Sequence, residues 1–139
     1  MPKRNRELLL KTAAHIEEVP ESYAQYTFYS ESDKAPCGTR ACLAGEIVIC
    51  SAPTIEKGVK KLKAQIQRAM DSSEYIKTGE SAARLAGFGV EEARALFAAD
   101  AVMWPRRFRN LYYNAKSERG RAKAAAALLR YLADGGEVA

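Results

Sequence analysis

The sequence lacks the long apolar runs that mark membrane and exported proteins. No run approaches the ~20 residues that a membrane-spanning helix needs. The leucines Leu8–Leu10 follow several basic residues, but Glu7 and Lys11 bracket them and interrupt the apolar region, so we expect no signal peptide. We therefore expect a cytoplasmic protein that makes no contact with a membrane.

Cysteine and histidine are scarce as well. The chain has three cysteines, an odd number with no repeated Cys-x-x-Cys, which argues against a disulfide framework. Its one histidine is His15. Structural zinc sites usually combine two close pairs of ligands, and the spacing of these residues does not provide them. We predict neither a metal nor another cofactor.

What remains is the composition of an ordinary globular protein. With 139 residues, 47% hydrophobic and 28% charged, one domain spanning 1–139 is expected. The net charge is +5 and the isoelectric point about 9.2. Because basic and acidic residues are spread evenly, any preference for an anionic partner must come from local clusters.

The apolar pattern predicts an all-α fold: one compact domain of about six to seven helices around a central buried helix at about 40–51. That stretch is apolar around almost its whole circumference, which is typical of a buried helix. Thr39 is its predicted N-cap. A first helix is expected at 5–18, with Asn5 as N-cap and His15 at the boundary of its apolar stripe.

Other helices are predicted around this axis. The residues Ile55, Val59, Leu62, Ile66 and Met70 form one apolar seam of a helix at 55–70. Further helices are expected at 80–86 and 91–99, from Pro105 onward, and at 118–133 with Ser117 as N-cap. Segment 21–36 is predicted to be a loop that packs over the central helix through four aromatic residues, Tyr23, Tyr26, Phe28 and Tyr29. Alternatively, the tyrosines of this segment line a ligand pocket.

The segment Cys37-Gly38-Thr39 is the first candidate site. At the start of the central helix, the backbone N–H groups and the helix dipole would favour a thiolate at Cys37. A catalytic cysteine also needs a base, and His15 is the only imidazole, although no pattern places it near Cys37. The simpler interpretation is a small apolar side chain at the start of a helix.

Glu46 is unusual because it stands among apolar residues in the predicted central helix. It forms one row with Cys42 and Cys50, each four positions apart. Such a carboxylate reaches the edge of its helix, pairs with a cation such as an arginine, or stays protonated. We favour the first two outcomes, but the third would make Glu46 a candidate catalytic acid together with Cys37 and His15.

The second candidate site is basic and aromatic and covers 104–123. Arginines alternate there with aromatic residues, a pattern that suits phosphate contacts and stacking on bases. No known nucleic-acid motif is present, and a solvated basic edge is the alternative. The predicted helix at 55–70 has a second basic side, formed by Lys57, Lys60, Lys61 and Arg68. The basic residues of 104–123 are Arg106, Arg107, Arg109, Lys116, Arg119, Arg121 and Lys123, against one acid, Glu118.

The string from Cys37 to Gly45 resembles the Cys-Gly-Thr-x-x-Cys-x-x-Gly signature of small uncharacterised proteins from bacteria and their phages. A segment like 83–97 and a Trp-Pro-x-x-Phe element, here Trp104, Pro105 and Phe108, also recur in them. The resemblance would cover most of the chain and implies an organisation, not an activity. Where those proteins often carry an aromatic residue or histidine, this chain has Glu46.

These patterns favour a small non-catalytic binding or accessory protein of bacterial or phage type. Its partner would be anionic, with nucleic acid as one candidate, or a protein, and it would contact the basic edge. The alternative is a cysteine-dependent enzyme or small-ligand-binding protein with its site at 37–39. A purely structural or oligomer-forming subunit is a third hypothesis, and no pattern predicts the oligomeric state.

Overall fold

The fold is all-α, as predicted, and seven α-helices lie within the part of the chain that the structure describes. The computed structural model describes residues 3–25, 30–31, 39–72, 78–98 and 101–138. The helices are α1 (Arg6–Glu18), α2 (Leu43–Cys50), α3 (Ile55–Ser72), α4 (Thr78–Ala86), α5 (Val90–Leu96), α6 (Arg106–Asn114) and α7 (Glu118–Ala133). A 3₁₀ turn (Pro20–Ser22) and two short strands, β1 (Ser30–Glu31) and β2 (Thr39–Arg40), lie between α1 and α2.

Helix α2 is the buried axis of the fold. All eight of its residues are buried, and it packs against α1, α3 and α4. Gly58 of α3 lies close to the end of α2, because a Cβ added there would be 2.0 Å from the carbonyl oxygen of Ile49. A side chain at this position would therefore push α3 away from the end of α2.

Helices α1 and α7 pack against each other, and the N-terminal end of each is determined by its local sequence. The Asn5 side chain accepts a hydrogen bond from the Leu8 N–H at 3.1 Å, and the Ser117 hydroxyl accepts one from the Gly120 N–H at 3.1 Å. Each side chain satisfies a backbone donor that has no partner inside the helix. Both predicted N-caps are confirmed.

The predicted start of the central helix is wrong. Thr39 and Arg40 are extended and pair antiparallel with Glu31 and Ser30, and α2 begins only at Leu43. Ala41 is held extended too, because its N–H donates to the Ser22 carbonyl at 2.7 Å and its carbonyl accepts from the Ala24 N–H at 2.9 Å. The N-cap is Cys42, which makes no side-chain capping bond. Because these residues form backbone hydrogen bonds with earlier strands and turns, the helix does not begin after Thr39 as predicted.

The helix predicted at 118–133 is α7 with the same bounds, whereas two other predictions need comment. The seam of α3 is buried at Val59 and Leu62, but Met70 at its end is 70% exposed. The loop predicted over 21–36 contains β1 and continues the 3₁₀ turn, and Tyr26, Phe28 and Tyr29 lie outside the described residues. No helix among the described residues is both long and apolar enough to cross a membrane.

Candidate functional site

The first candidate site is only partly described. Cys37 and Gly38 lie outside the described residues, whereas Thr39 is in β2. Since α2 begins at Leu43, its N-terminal N–H groups stand several residues beyond Cys37 in the sequence. The physical reason for a lowered pKa at Cys37, a helix N-terminus directly after it, is therefore lost.

The other two catalytic candidates, His15 and Glu46, are brought together. His15 lies in the last turn of α1 and Glu46 in the first turn of α2. The imidazole Nε2 is 3.3 Å from the Glu46 Oε2, with the two side chains 12% and 0% exposed. The sequence favoured Glu46 at the edge of its helix or paired with a cation such as an arginine. The first of these outcomes is wrong, because Glu46 is fully buried and lies beside the imidazole.

Burial dominates the electrostatics of this contact. It lowers the pKa of His15 below 6.5, although the nearby charge of Glu18 acts in the opposite direction. The cost of removing a charged imidazole from water explains the direction of the shift. A neutral imidazole at neutral pH follows.

Three groups near this pair, the thiols of Cys42 and Cys50 and the hydroxyl of Tyr23, are neutral at neutral pH. Burial raises the pKa of the Cys42 thiol to about 11 and of the Cys50 thiol to about 12. It also raises the pKa of the Tyr23 hydroxyl well above 10, and that hydroxyl donates to the Gln25 side chain at 2.9 Å. Neither described cysteine carries the thiolate that nucleophilic chemistry requires. Both are buried core residues.

No group of three or more histidine, cysteine, aspartate or glutamate side chains within the described ranges could hold a metal ion. The row formed by Cys42, Glu46 and Cys50 therefore does not converge on one point. Its two cysteines belong to the buried hydrophobic core.

The second candidate site is divided between the core and the surface. Trp104 and Phe108 are buried, and the Trp104 indole N–H donates to the Leu96 carbonyl at 3.2 Å. Phe108 packs against Tyr131 of α7 with ring centroids 5.0 Å apart. One side of α6 is thus anchored to the fold, and its other side faces solvent.

The predicted binding arginines have different environments. Arg106, Arg107 and Arg119 are exposed. Arg109 is half-buried and donates to the Val102 carbonyl at 3.3 Å. Arg121 is also half-buried, and its charge is close enough to lower the pKa of Tyr23 against the larger effect of burial. The exposed arginines are the most accessible to a partner, and the guanidinium of Arg107 also lies 5.2 Å from the centroid of the Phe108 ring.

Large apolar side chains are exposed around α6. Val102, Met103, Leu111 and Tyr113 are each about half exposed, between 47% and 54%. Tyr113 also meets Tyr112 edge to face at a centroid distance of 5.3 Å. Exposed apolar and aromatic side chains beside arginines are typical of contact surfaces.

The basic side of α3 is a separate surface. Helix α3 packs against α2 and α4, whereas α6 packs against α7. Two of its lysines have local partners: Lys60 lies 3.7 Å from Glu56, and Lys61 donates to the Ser51 hydroxyl at 3.3 Å. The predicted basic edge is therefore two surfaces on differently packed helices.

Sequence patterns did not reveal an apolar groove of about 700 Å³ between α4 and α5. Phe88 and Phe97 contribute to its lining, with ring centroids 6.1 Å apart. Arg94, at its rim, pairs with Glu91 at 3.3 Å. The groove arises from the angle between two short helices, which no local pattern specifies.

No protein-family model, curated protein or solved structure matches this chain.

Proposed function

We propose that this chain is a small non-catalytic binding protein, an accessory protein of bacterial or phage type, that holds single-stranded nucleic acid on the exposed side of α6. The observation that carries the proposal is the make-up of that helix. Nine residues contain three arginines and no acid, and an exposed tyrosine lies on the same side. This combination suits phosphate contacts together with base stacking.

The spacing along α6 supports this function. Arg106, Asn110 and Tyr113 follow at intervals of four and three, so they share one face of the helix, and all three are exposed. Arg106 and the neighbouring exposed Arg107 would contact phosphates. The Tyr113 ring would stack on a base, which is worth about 1–3 kcal/mol per base in proteins of this kind.

The anchoring of α6 supports it as well. Phe108 and Tyr112 fix the inner side of the helix against α7 and Trp104, with Trp104 and Tyr112 ring centroids 5.2 Å apart. A helix held in this way presents its outer side chains in a fixed order, which lowers the entropy lost on binding.

Helix α3 is the weaker candidate for the same function. Its basic side also has several lysines, but Lys60 and Lys61 interact with neighbours in the structure. Among the described large hydrophobic residues, the one exposed on α3 is Met70, which offers no aromatic ring. We therefore place the contact on α6.

The cysteine-dependent alternative has less support. It depended on Cys37 at the N-terminus of the central helix, and α2 begins at Leu43 instead. The described cysteines, Cys42 and Cys50, are buried thiols with raised pKa values.

Binding of a labelled oligothymidylate of about 15 nucleotides, followed by fluorescence anisotropy, tests the proposal. We expect affinity to fall steeply between about 50 and about 200 mM salt, because released counterions drive such binding. The Arg106→Ala/Arg107→Ala variant should bind at least about tenfold more weakly. Tyr113→Ala should weaken binding about fivefold to a hundredfold, as expected for the loss of one stacked base.

The matched control is Lys57→Ala/Lys60→Ala, which removes the same number of exposed charges from α3. This variant should retain most of the affinity. Binding that does not respond to salt, or that survives unchanged in the α6 variants, would contradict the proposal. Loss of affinity only in the α3 variant would move the contact surface to α3.

A further inference from the structure

The groove between α4 and α5 is a concave apolar surface that the proposed contact on α6 does not use. Its volume is about 700 Å³, within the range of roughly 300–1,000 Å³ that is usual for small-molecule sites. Seven of the ten described residues that line it are glycine, alanine, valine or phenylalanine. The groove therefore has the size and the chemistry to hold the apolar part of a small ligand.

The two walls of the groove are held in place by the rest of the fold. Helix α4 packs against the buried helix α2. The start of α5 is fixed by Glu92, whose side chain accepts from the Gly89 N–H at 3.1 Å and pairs with Arg4. The Arg4 guanidinium also lies 5.8 Å from the centroid of the Phe88 ring, which is 5% exposed. A ligand would meet a preformed site, which lowers the entropy lost on binding.

The groove has two distinct ends. At one end the start of α4 meets the end of α5, because a Cβ added to Gly79 would lie 4.0 Å from the Phe97 ring. At the other end the chain leaves α4 through Gly87, whose φ is 80°, and Arg84 stands in the last turn before it. From position 79 to position 84 is a helix rise of about 7.5 Å. The apolar lining thus extends over the length of a short alkyl chain.

The charges along the groove differ between these ends. Its charged lining residues are Glu80, Arg84 and Arg94, all of them exposed. Arg94 pairs with Glu91 at 3.3 Å. Arg84 forms no hydrogen bond or ion pair with any residue that the structure describes. A cation without a partner therefore lies at the Gly87 end, and the acid Glu80 lies one helical turn away toward the other end.

We propose that this groove binds a medium-chain fatty acid such as octanoate, with the carboxylate at Arg84 and the alkyl chain directed along Phe88 toward Phe97. The arginine attracts the carboxylate, and Glu80 disfavours the reversed orientation because it would bring two negative charges together. The site is independent of the proposed nucleic-acid contact, since α6 packs against α7 and contributes no residue to the lining.

Titration of the isotope-labelled wild-type protein with octanoate, followed by amide NMR spectra, tests the proposal directly. We expect saturable shifts concentrated at residues 79–98. Hexanoate should bind more weakly by up to about fourfold for each methylene removed, because the lost chain no longer leaves water. Shifts that do not saturate, shifts centred on another part of the chain, or equal affinities for the two acids would each overturn the proposal.

The role of Arg84 is tested with 1-octanol, which has the same chain and no charge. Octanol should bind the wild-type protein about twofold to fivefold more weakly than octanoate, the effect of one exposed ion pair. Arg84→Gln should abolish this difference and leave the affinity for octanol unchanged. The matched control is Arg94→Gln, because Arg94 already has Glu91 as its partner, and it should preserve the difference. A preference for octanoate that persists in Arg84→Gln, or that disappears only in Arg94→Gln, would contradict the proposed orientation.

The position of the ligand is tested with an acid placed in the groove. Val90 is 74% exposed and is the first residue of α5, where a carboxylate is compatible with the helix. Val90→Asp should weaken octanoate binding about fivefold or more, through lost apolar contact and repulsion of the carboxylate. The control is Val102→Asp, the same change at a valine that is 54% exposed and lies outside the groove.

The Val102→Asp control should bind octanoate as the wild-type protein does. Equal losses in the two variants would show that only the overall charge matters and would overturn the site. Circular dichroism checks that both variants are folded. If Val90→Asp is unfolded, the comparison of octanoate with hexanoate on the wild-type protein still decides the proposal.

Discussion

Helices α2 and α6 are both short, but the charged side chain of α2 is buried and two of those of α6 are exposed. In α2 every residue is buried, and its one charged group, Glu46, is placed against the imidazole of another helix. In α6 one side is buried through Phe108, and the arginines Arg106 and Arg107 face solvent. A charged residue is therefore enclosed by the packing of one helix and exposed to solvent on the other.

This difference has a physical cause. A polar group that is removed from water needs a hydrogen-bond partner. When one of the two groups is deleted, the other is left buried without a hydrogen bond, which lowers the stability of the folded state. A polar group at the surface exchanges its contacts with water at little net cost. Matched substitutions of one residue type in the two regions separate the two situations.

Leucine provides the largest expected contrast. Leu43 of α2 is fully buried, whereas Leu111 of α6 is 47% exposed. Leu43→Ala should lower the free energy of unfolding by about 2–5 kcal/mol, because it removes apolar contacts and leaves a cavity. Leu111→Ala should change it by less than about 0.5 kcal/mol. Urea denaturation measures both, and similar losses in the two variants would show that α6 is buried in solution.

Side-chain amides provide the second contrast. Gln25 is 2% exposed, and its Nε2 donates to the carbonyls of Leu96 and Ala98 at 3.1 and 2.9 Å. Gln25→Ala should cost about 1–3 kcal/mol, because these buried groups lose their partner. The exposed Asn110 of α6 serves as the control.

Asn110→Ala should leave the unfolding transition within about 0.5 kcal/mol of the wild-type protein. Equal costs at the two positions would mean that the buried amide bonds contribute nothing beyond those formed with water.

Tyrosine hydroxyls provide the smallest contrast. The Tyr23 hydroxyl is buried and donates to Gln25 at 2.9 Å, so Tyr23→Phe should cost about 0.5–1.5 kcal/mol. Tyr113→Phe at the surface should cost less than about 0.5 kcal/mol and keep the ring that stacks on a base. Thermal unfolding followed by circular dichroism measures the two shifts. A larger loss for Tyr113→Phe would reverse the proposed roles of the two regions.

Local sequence predicted much of the helical framework. Asn5 and Ser117 cap their helices through bonds to backbone N–H groups three residues on, so each end depends on a few neighbouring residues. The end of α4 follows the same rule, since Gly87 adopts a positive φ of 80°. Such features can be predicted because their energies arise within one turn of the chain.

The start of α2 could not be predicted in this way. Gly38 and Thr39 have the residue types of a helix start, but Thr39 pairs with Glu31 in a strand, and Ala41 bonds to Ser22 and Ala24. These partners are separated from α2 by up to about 20 residues. Bonds over such distances compete with the local preference, and here they shift the start of the helix to Leu43.

The sequence alone determined that the 40–51 region would be buried, that 104–123 would be basic and aromatic, and that Glu46 would need a partner. It did so because composition and periodicity act over a few residues. Only the tertiary structure decided that the partner includes His15, that Arg121 is half-buried while Arg106 is exposed, and that α3 and α6 form separate basic surfaces. Each of these depends on how one helix crosses another, and that angle is set by packing across the whole core.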